Sequence, residues 1–110
     1  MKLPNAENAL VPSDKLTNYL LSKSHPVGRW KASFFRSMGF NERNVDELRD
    51  ALANIAKKGE VKNTTTSDFG VKYVVEGWIA GPEGNTANIH TVWVMETNEE
   101  RPRLVTAYPA

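Results

Sequence analysis

His90, Lys72, Glu76 and Arg103 are the side chains whose types and spacing best suit chemistry on a phosphodiester. Alternation along three strands places all four on one side of a sheet. RNA cleavage without a metal needs a base for the 2′-hydroxyl, an acid for the leaving oxygen and cations for the crowded phosphorane. A histidine titrates near neutrality and suits either proton role. Lys72 and Arg103 would hold the phosphate, the guanidinium in bidentate fashion. The same residues also describe an ordinary solvated sheet face.

A second concentration lies in His25-Pro26-Val27-Gly28-Arg29-Trp30-Lys31. His25, Arg29 and Lys31 crowd the start of a helix, where free N–H groups favour an anion, and Trp30 would stack on a base. The alternative is a plain helix–helix connection with Trp30 in the core. His25 is a further acid–base candidate if it reaches across to the sheet. Thr106 and Tyr108 would orient a phosphate through their hydroxyls or sit as polar rim groups. Trp78, on the polar face, is a stacking platform or simply an exposed aromatic.

The elements that must position these residues fall into two halves. Pro4 and Pro12 oppose a regular helix in the first ten residues, which read as extended. Ser13 caps a helix over about 13–24 that buries Leu16, Tyr19 and Leu20. A second helix, roughly 29–38, presents Trp30, Phe34 and Met38 on one face and stops at Gly39. Asn44 opens a third over Val45 to Lys58, with Glu47 in a capping-box position and an apolar stripe of Val45, Leu48, Leu52, Ile55 and Ala56. After Gly59 the chain reads as strands over Glu60 to Ser67, Gly70 to Ile79, Thr86 to Glu96 and Pro102 to Tyr108.

Short connections make those strands an antiparallel meander, so the expected class is α+β. About three N-terminal helices (1–59) pack on a four-stranded sheet (60–110) within a single domain spanning 1–110. Tyr73, Val75 and Ile79 share the buried side with Ile89, Thr91 and Trp93. Leu104 looks inward, which sends Arg103 to the polar side and turns Thr106 and Tyr108 towards the core or its rim. A β-bulge in the last strand would reverse that final assignment.

Composition narrows the chemistry. The chain of 110 residues has no cysteine, which removes thiolate nucleophiles and Cys-based zinc sites. Two histidines without a paired carboxylate motif speak against a metal site, and no Gly-rich phosphate loop stands between a strand and a helix. The expectation is therefore no cofactor and no metal. No apolar run is long enough for a bilayer, so no membrane association is expected and a cytoplasmic location is the default. The net charge of +1 is uneven: residues 1–59 carry ten Lys and Arg against six acids, and 60–110 carry four against seven. Such a bipolar molecule can offer a basic face to RNA while staying nearly neutral.

Several segments together resemble a small family of uncharacterised bacterial domains: Met1-Lys2-Leu3-Pro4-Asn5-Ala6-Glu7-Asn8-Ala9, His25-Pro26 with Gly28 and Lys31, Gly70 to Val75 with Gly77, Thr91-Val92-Trp93-Val94, and Pro102 to Pro109. That resemblance implies no particular activity. Helices followed by a four-stranded sheet ending in Thr106-Ala107-Tyr108-Pro109 also look like the barnase–EndoU–colicin–RelE group of ribonucleases and toxins. This second resemblance implies metal-independent RNA cleavage, with Thr106 and Tyr108 matching the terminal motif. It would make Lys72 and Arg103 the phosphate cations and His25 or His90 the acid–base group. The expected function is a toxin-like ribonuclease acting on cellular RNA and held inactive by a neutralising protein encoded nearby. The competing expectation is a non-catalytic interaction module, such as the antitoxin, immunity or adaptor half of a bacterial conflict system.

Overall fold

The long helix α3, Val45–Lys58, anchors the molecule. Its buried residues Leu48, Leu52, Ile55 and Ala56 recur at three- and four-residue spacing, so one apolar stripe faces the sheet. Asp46 and Glu47 lie at its positive end and Lys57 and Lys58 at its negative end, as the helix dipole favours. The capping box falls one turn earlier than the spacing predicts. The Asn41 side chain accepts from the Arg43 N–H at 2.8 Å, and the Asn44 side chain accepts from the Asn41 N–H at 2.8 Å. A 3₁₀ turn over Glu42–Asn44 runs straight into α3, so the Asn44 side chain serves that turn rather than the helix.

The structure, a computed structural model, describes residues 1–22 and 29–110, and of Arg29 the backbone alone. The first segment is not extended throughout, since Ala6–Asn8 form a 3₁₀ turn. Helix α1, Ser13–Lys15, widens into a π-helical turn over Leu16–Leu20, and the Leu21 N–H returns to the Leu16 carbonyl at 2.8 Å. Leu16, Leu20 and Leu21 are buried beneath it. Helix α2, Arg29–Ser37, does not present the face the sequence suggests. Lys31, Ala32, Phe35 and the following Met38 are buried, whereas Trp30 remains 55% exposed.

The four strands form one antiparallel sheet in sequence order: β1 (Glu60–Ser67), β2 (Gly70–Ala80), β3 (Thr86–Glu96) and β4 (Arg103–Pro109). This is the expected α+β arrangement of helices followed by a meander. The helices cover the face that bears Tyr73, Val75, Ile79, Ile89, Trp93, Leu104 and Ala107. Burying the Val, Ile and Leu side chains among them is worth roughly 1.5–3 kcal/mol each. Thr91, the buried polar residue on that face, donates to the Val75 carbonyl at 3.0 Å and accepts the Trp93 indole N–H at 2.7 Å. Gly77 lets α3 approach β2 closely, because a Cβ there would stand 2.9 Å from Ile55.

Two register shifts reshape the opposite face. Val61 stands opposite Val75 and Asn63 opposite Val74, which leaves Lys62 as an extra residue in β1. In β4, Leu104 faces Trp93 and Thr106 faces Val92, so Val105 is the extra residue. That bulge restores Thr106 and Tyr108 to the open side, opposite Val92 and His90. Uninterrupted alternation from Leu104 would have turned them inward, and the bulge corrects that orientation.

Candidate active site

The open face is organised around a cross-strand pair. His90 on β3 stands opposite Glu76 on β2, and their side chains meet at 3.0 Å. In the neutral imidazole, a hydrogen bond from Nε2–H to the carboxylate leaves the lone pair on Nδ1. The His90 hydrogen bond, then support from the Asn88 amide and the charge of Lys62, hold the Glu76 carboxyl below its ordinary pKa. On the other flank of His90, Tyr108 of β4 presents its ring edge-to-face, with centroids 5.5 Å apart and planes at 88°.

The cation on the far side of Tyr108 from His90 comes from a helix. Lys31, the third residue of α2, is only 9% exposed. Its Nζ donates to the Tyr19 hydroxyl at 2.8 Å and to Thr106 Oγ1 at 3.0 Å. The ammonium also lies 5.1 Å from the Tyr19 ring centroid, 5.5 Å from that of Trp30 and 5.9 Å from that of Tyr108. Among the described residues no carboxylate stands within ion-pair distance of it. A nearly buried ammonium held only by hydroxyls and ring faces is an expensive arrangement for the fold, and one that an incoming anion relieves.

Tyr19 responds to this setting. Burial raises the pKa of its hydroxyl, but hydrogen bonds with Lys31 and Thr106 and the charges of Lys31 and Lys15 outweigh that, so the net direction is down. Cationic neighbours therefore make it a readier proton donor. A base, a cation, hydroxyl donors and an orienting carboxylate thus stand in sequence across β2, β3, β4 and α2. Among the described residues, no three His, Asp or Glu converge as a metal site requires.

The remaining expected residues are distributed as follows. Lys72 shares the open face but stands four positions from Glu76 along β2, about 13 Å at 3.3 Å per residue. Arg103 also lies on that face, opposite Val94, and binds Glu96 Oε1 at 2.6 Å in an exposed pair. Trp78 is 68% exposed on the same face, beyond Glu76. Trp30 is exposed against Lys31 rather than packed in the core. His25 and the Arg29 side chain lie outside the described residues.

Tyr19 is the part that sequence reading assigns to another role. Helical spacing makes Tyr19 look like core, and nothing local marks it as the partner of a lysine twelve residues later. The alternation does put Glu76 and His90 on one face, and their strand register is the signal that makes them neighbours.

Among the described residues no helix is long and apolar enough to cross a membrane. A comparison with curated proteins gives no match. Among solved structures, the chain is similar to one from a "Contact-dependent growth inhibition toxin - immunity protein complex from Klebsiella pneumoniae 342". The TM-score is 0.72 at 16% sequence identity, covering 96% of this chain and 96% of that one. At that identity the likeness is one of fold. Residues 2–110 match the model of the family described as "Domain of unknown function (DUF6883)", and the chain belongs to that family.

Proposed function

We propose that this chain is the toxic half of a bacterial conflict system, a metal-independent ribonuclease that cuts cellular RNA and is neutralised by a protein partner. The observation that carries the reading is Lys31: a nearly buried ammonium without a carboxylate among the described residues, flanked by hydroxyls and by the Tyr108 ring that also packs on His90. A fold shared with a chain from a toxin–immunity complex supports the conflict-system setting.

In this reading Lys31 Nζ and the Thr106 hydroxyl bind the non-bridging oxygens of a phosphodiester. His90 Nδ1 takes the proton of the adjacent 2′-hydroxyl while Glu76 steadies the ring and its developing charge. The O2′–P bond forms as the P–O5′ bond breaks, and the Tyr19 hydroxyl delivers a proton to the departing O5′. The products are a 2′,3′-cyclic phosphate and a 5′-hydroxyl end. Tyr108 fixes the edge of the His90 ring and lines the phosphate position. Lys72 and Arg103, on the same face but farther along, would contact flanking phosphates.

A neutralising protein would act by covering the open face. The non-catalytic reading keeps one specific point in its favour: β1 forms one edge of the sheet, with an exposed Phe69 at the β1–β2 turn, a feature that suits strand addition by a partner. Incubating purified protein with RNA in the presence of EDTA separates the two. The ribonuclease reading expects cleavage by the wild type and none by His90→Ala. Intact RNA with the wild type would transfer the case to the interaction module.

A further inference from the structure

Two positions from His90 along β3, about 7 Å at the strand rise, Asn88 stands in register with Trp78 of β2 on the open face. They border a groove of about 380 Å³ whose other walls include Asn54, Lys58, Lys62 and Glu76. The Asn88 amide supports the Glu76 carboxylate, while its Oδ1 is buried with no hydrogen-bond partner. A buried acceptor without a donor costs about 1–3 kcal/mol, so an occupant that brings an N–H is favoured there. Beside it the Trp78 indole is 68% exposed. Among the described residues neither Lys58 nor Lys62 is within ion-pair distance of a carboxylate. An exposed indole and an unfilled acceptor about 7 Å along β3 from the proposed base, with two cations in the groove wall, are the parts of a nucleobase pocket.

We propose that this groove is the base-binding subsite of the enzyme, and the proposal rests on the ribonuclease reading of the adjoining cluster. A nucleotide next to the scissile phosphate stacks its base on Trp78 and donates an N–H to Asn88 Oδ1. Lys58 and Lys62 take the next phosphate outward. Glu76 joins the two sites, since it touches His90 and lines the groove. Filling the groove therefore fixes the carboxylate that orients the catalytic ring, and links base recognition to cutting. Every natural base has an N–H on its pairing edge, so the chemistry selects an unpaired base over a paired one. Single-stranded RNA is the substrate class that follows.

The test uses a short single-stranded RNA methylated on its 2′ oxygens, which cannot be cut, with binding read by anisotropy of a terminal dye. Trp78→Ala should weaken binding about tenfold or more, and Trp78→Phe should restore most of it. Replacing one base by an abasic site should weaken the wild type by a similar factor and leave Trp78→Ala unchanged. Asn88→Ala should lose binding to the intact oligonucleotide without further loss on the abasic one. Equal affinity of wild type and Trp78→Ala overturns the subsite, and if the wild type still cuts unmodified RNA the ribonuclease reading survives that result. Loss of binding in Trp78→Ala with no cutting by the wild type keeps the subsite and removes the catalytic reading. No binding of the RNA by the wild type overturns the subsite.

Discussion

The open face of the sheet carries two charge arrangements of opposite character. In the first, Arg103 and Glu96 pair at 2.6 Å with both side chains about half exposed, a contact that is complete within the chain. In the second, two positions along β3, Lys31 is nearly buried, is held by the Tyr19 and Thr106 hydroxyls, and meets no carboxylate among the described residues. Exposed pairs contribute about 0–1 kcal/mol and ask for nothing further. A sequestered cation without a counter-ion costs stability, and its retention is explained when the missing charge comes from a ligand. Charge density therefore marks the surface, and unmatched charge marks the candidate site.

Substitutions should separate the two arrangements in order of effect. Lys31→Met, similar in length and neutral, should lower RNA cleavage by about 10²–10³ while the protein melts no lower than wild type, as paired thermal and kinetic measurements would show. A marked drop in melting temperature would make Lys31 a structural residue instead. His90→Ala should cost about 10²–10⁴ in rate through loss of the base, read under EDTA against an unchanged circular dichroism spectrum. Arg103→Ala, in the internally satisfied pair, should shift stability by no more than about 1 kcal/mol in denaturant melts and leave the cutting of a minimal substrate intact. A rate loss as large as that of His90→Ala would merge the two arrangements and defeat the comparison.

Glu76 sharpens the contrast through pH. Its folded-state pKa is depressed, first by the His90 hydrogen bond and then by Asn88, so its contribution to stability is present above the unfolded value. That contribution disappears as pH falls through the folded value. Wild-type stability should therefore decline more steeply than that of Glu76→Gln as pH drops below about 4, measured by urea melts at successive pH values. Parallel curves would mean the carboxylate is not held by its neighbours. The smallest expected effect belongs to Val105. Deleting this extra residue should straighten β4 while leaving Leu104 inward and Thr106 and Tyr108 outward, so the chain should still fold and cut RNA. Loss of activity in a folded deletion would show that the kink, and not only the side-chain facing, serves the site.

The fold was largely legible because its signals are periodic. The stripe of Leu48, Leu52, Ile55 and Ala56, and the alternation of Tyr73, Val75, Ile89, Thr91 and Trp93, each specify an element and its buried face. The site was less so, because it depends on single-residue offsets and long-range contacts. Reading Thr106 and Tyr108 requires knowing that Val105 is the residue squeezed out, and strand composition does not say which residue bulges. The Lys31 environment joins positions 19, 31 and 106, a constellation that only the packing of α2 against β4 creates. The turn of helix that buries Lys31 and exposes Trp30 reverses what hydrophobicity alone suggests, and that inversion is itself a mark of a functional position.

The central claim is that the unmatched Lys31 charge and the His90–Glu76 pair together cut RNA. Mapping the ends of RNA fragments produced in EDTA by wild type and by Lys31→Met tests it most directly. The account predicts 2′,3′-cyclic phosphate and 5′-hydroxyl ends from the wild type, and intact RNA from a Lys31→Met protein that melts as the wild type does. Cleavage by Lys31→Met at the wild-type rate would contradict it.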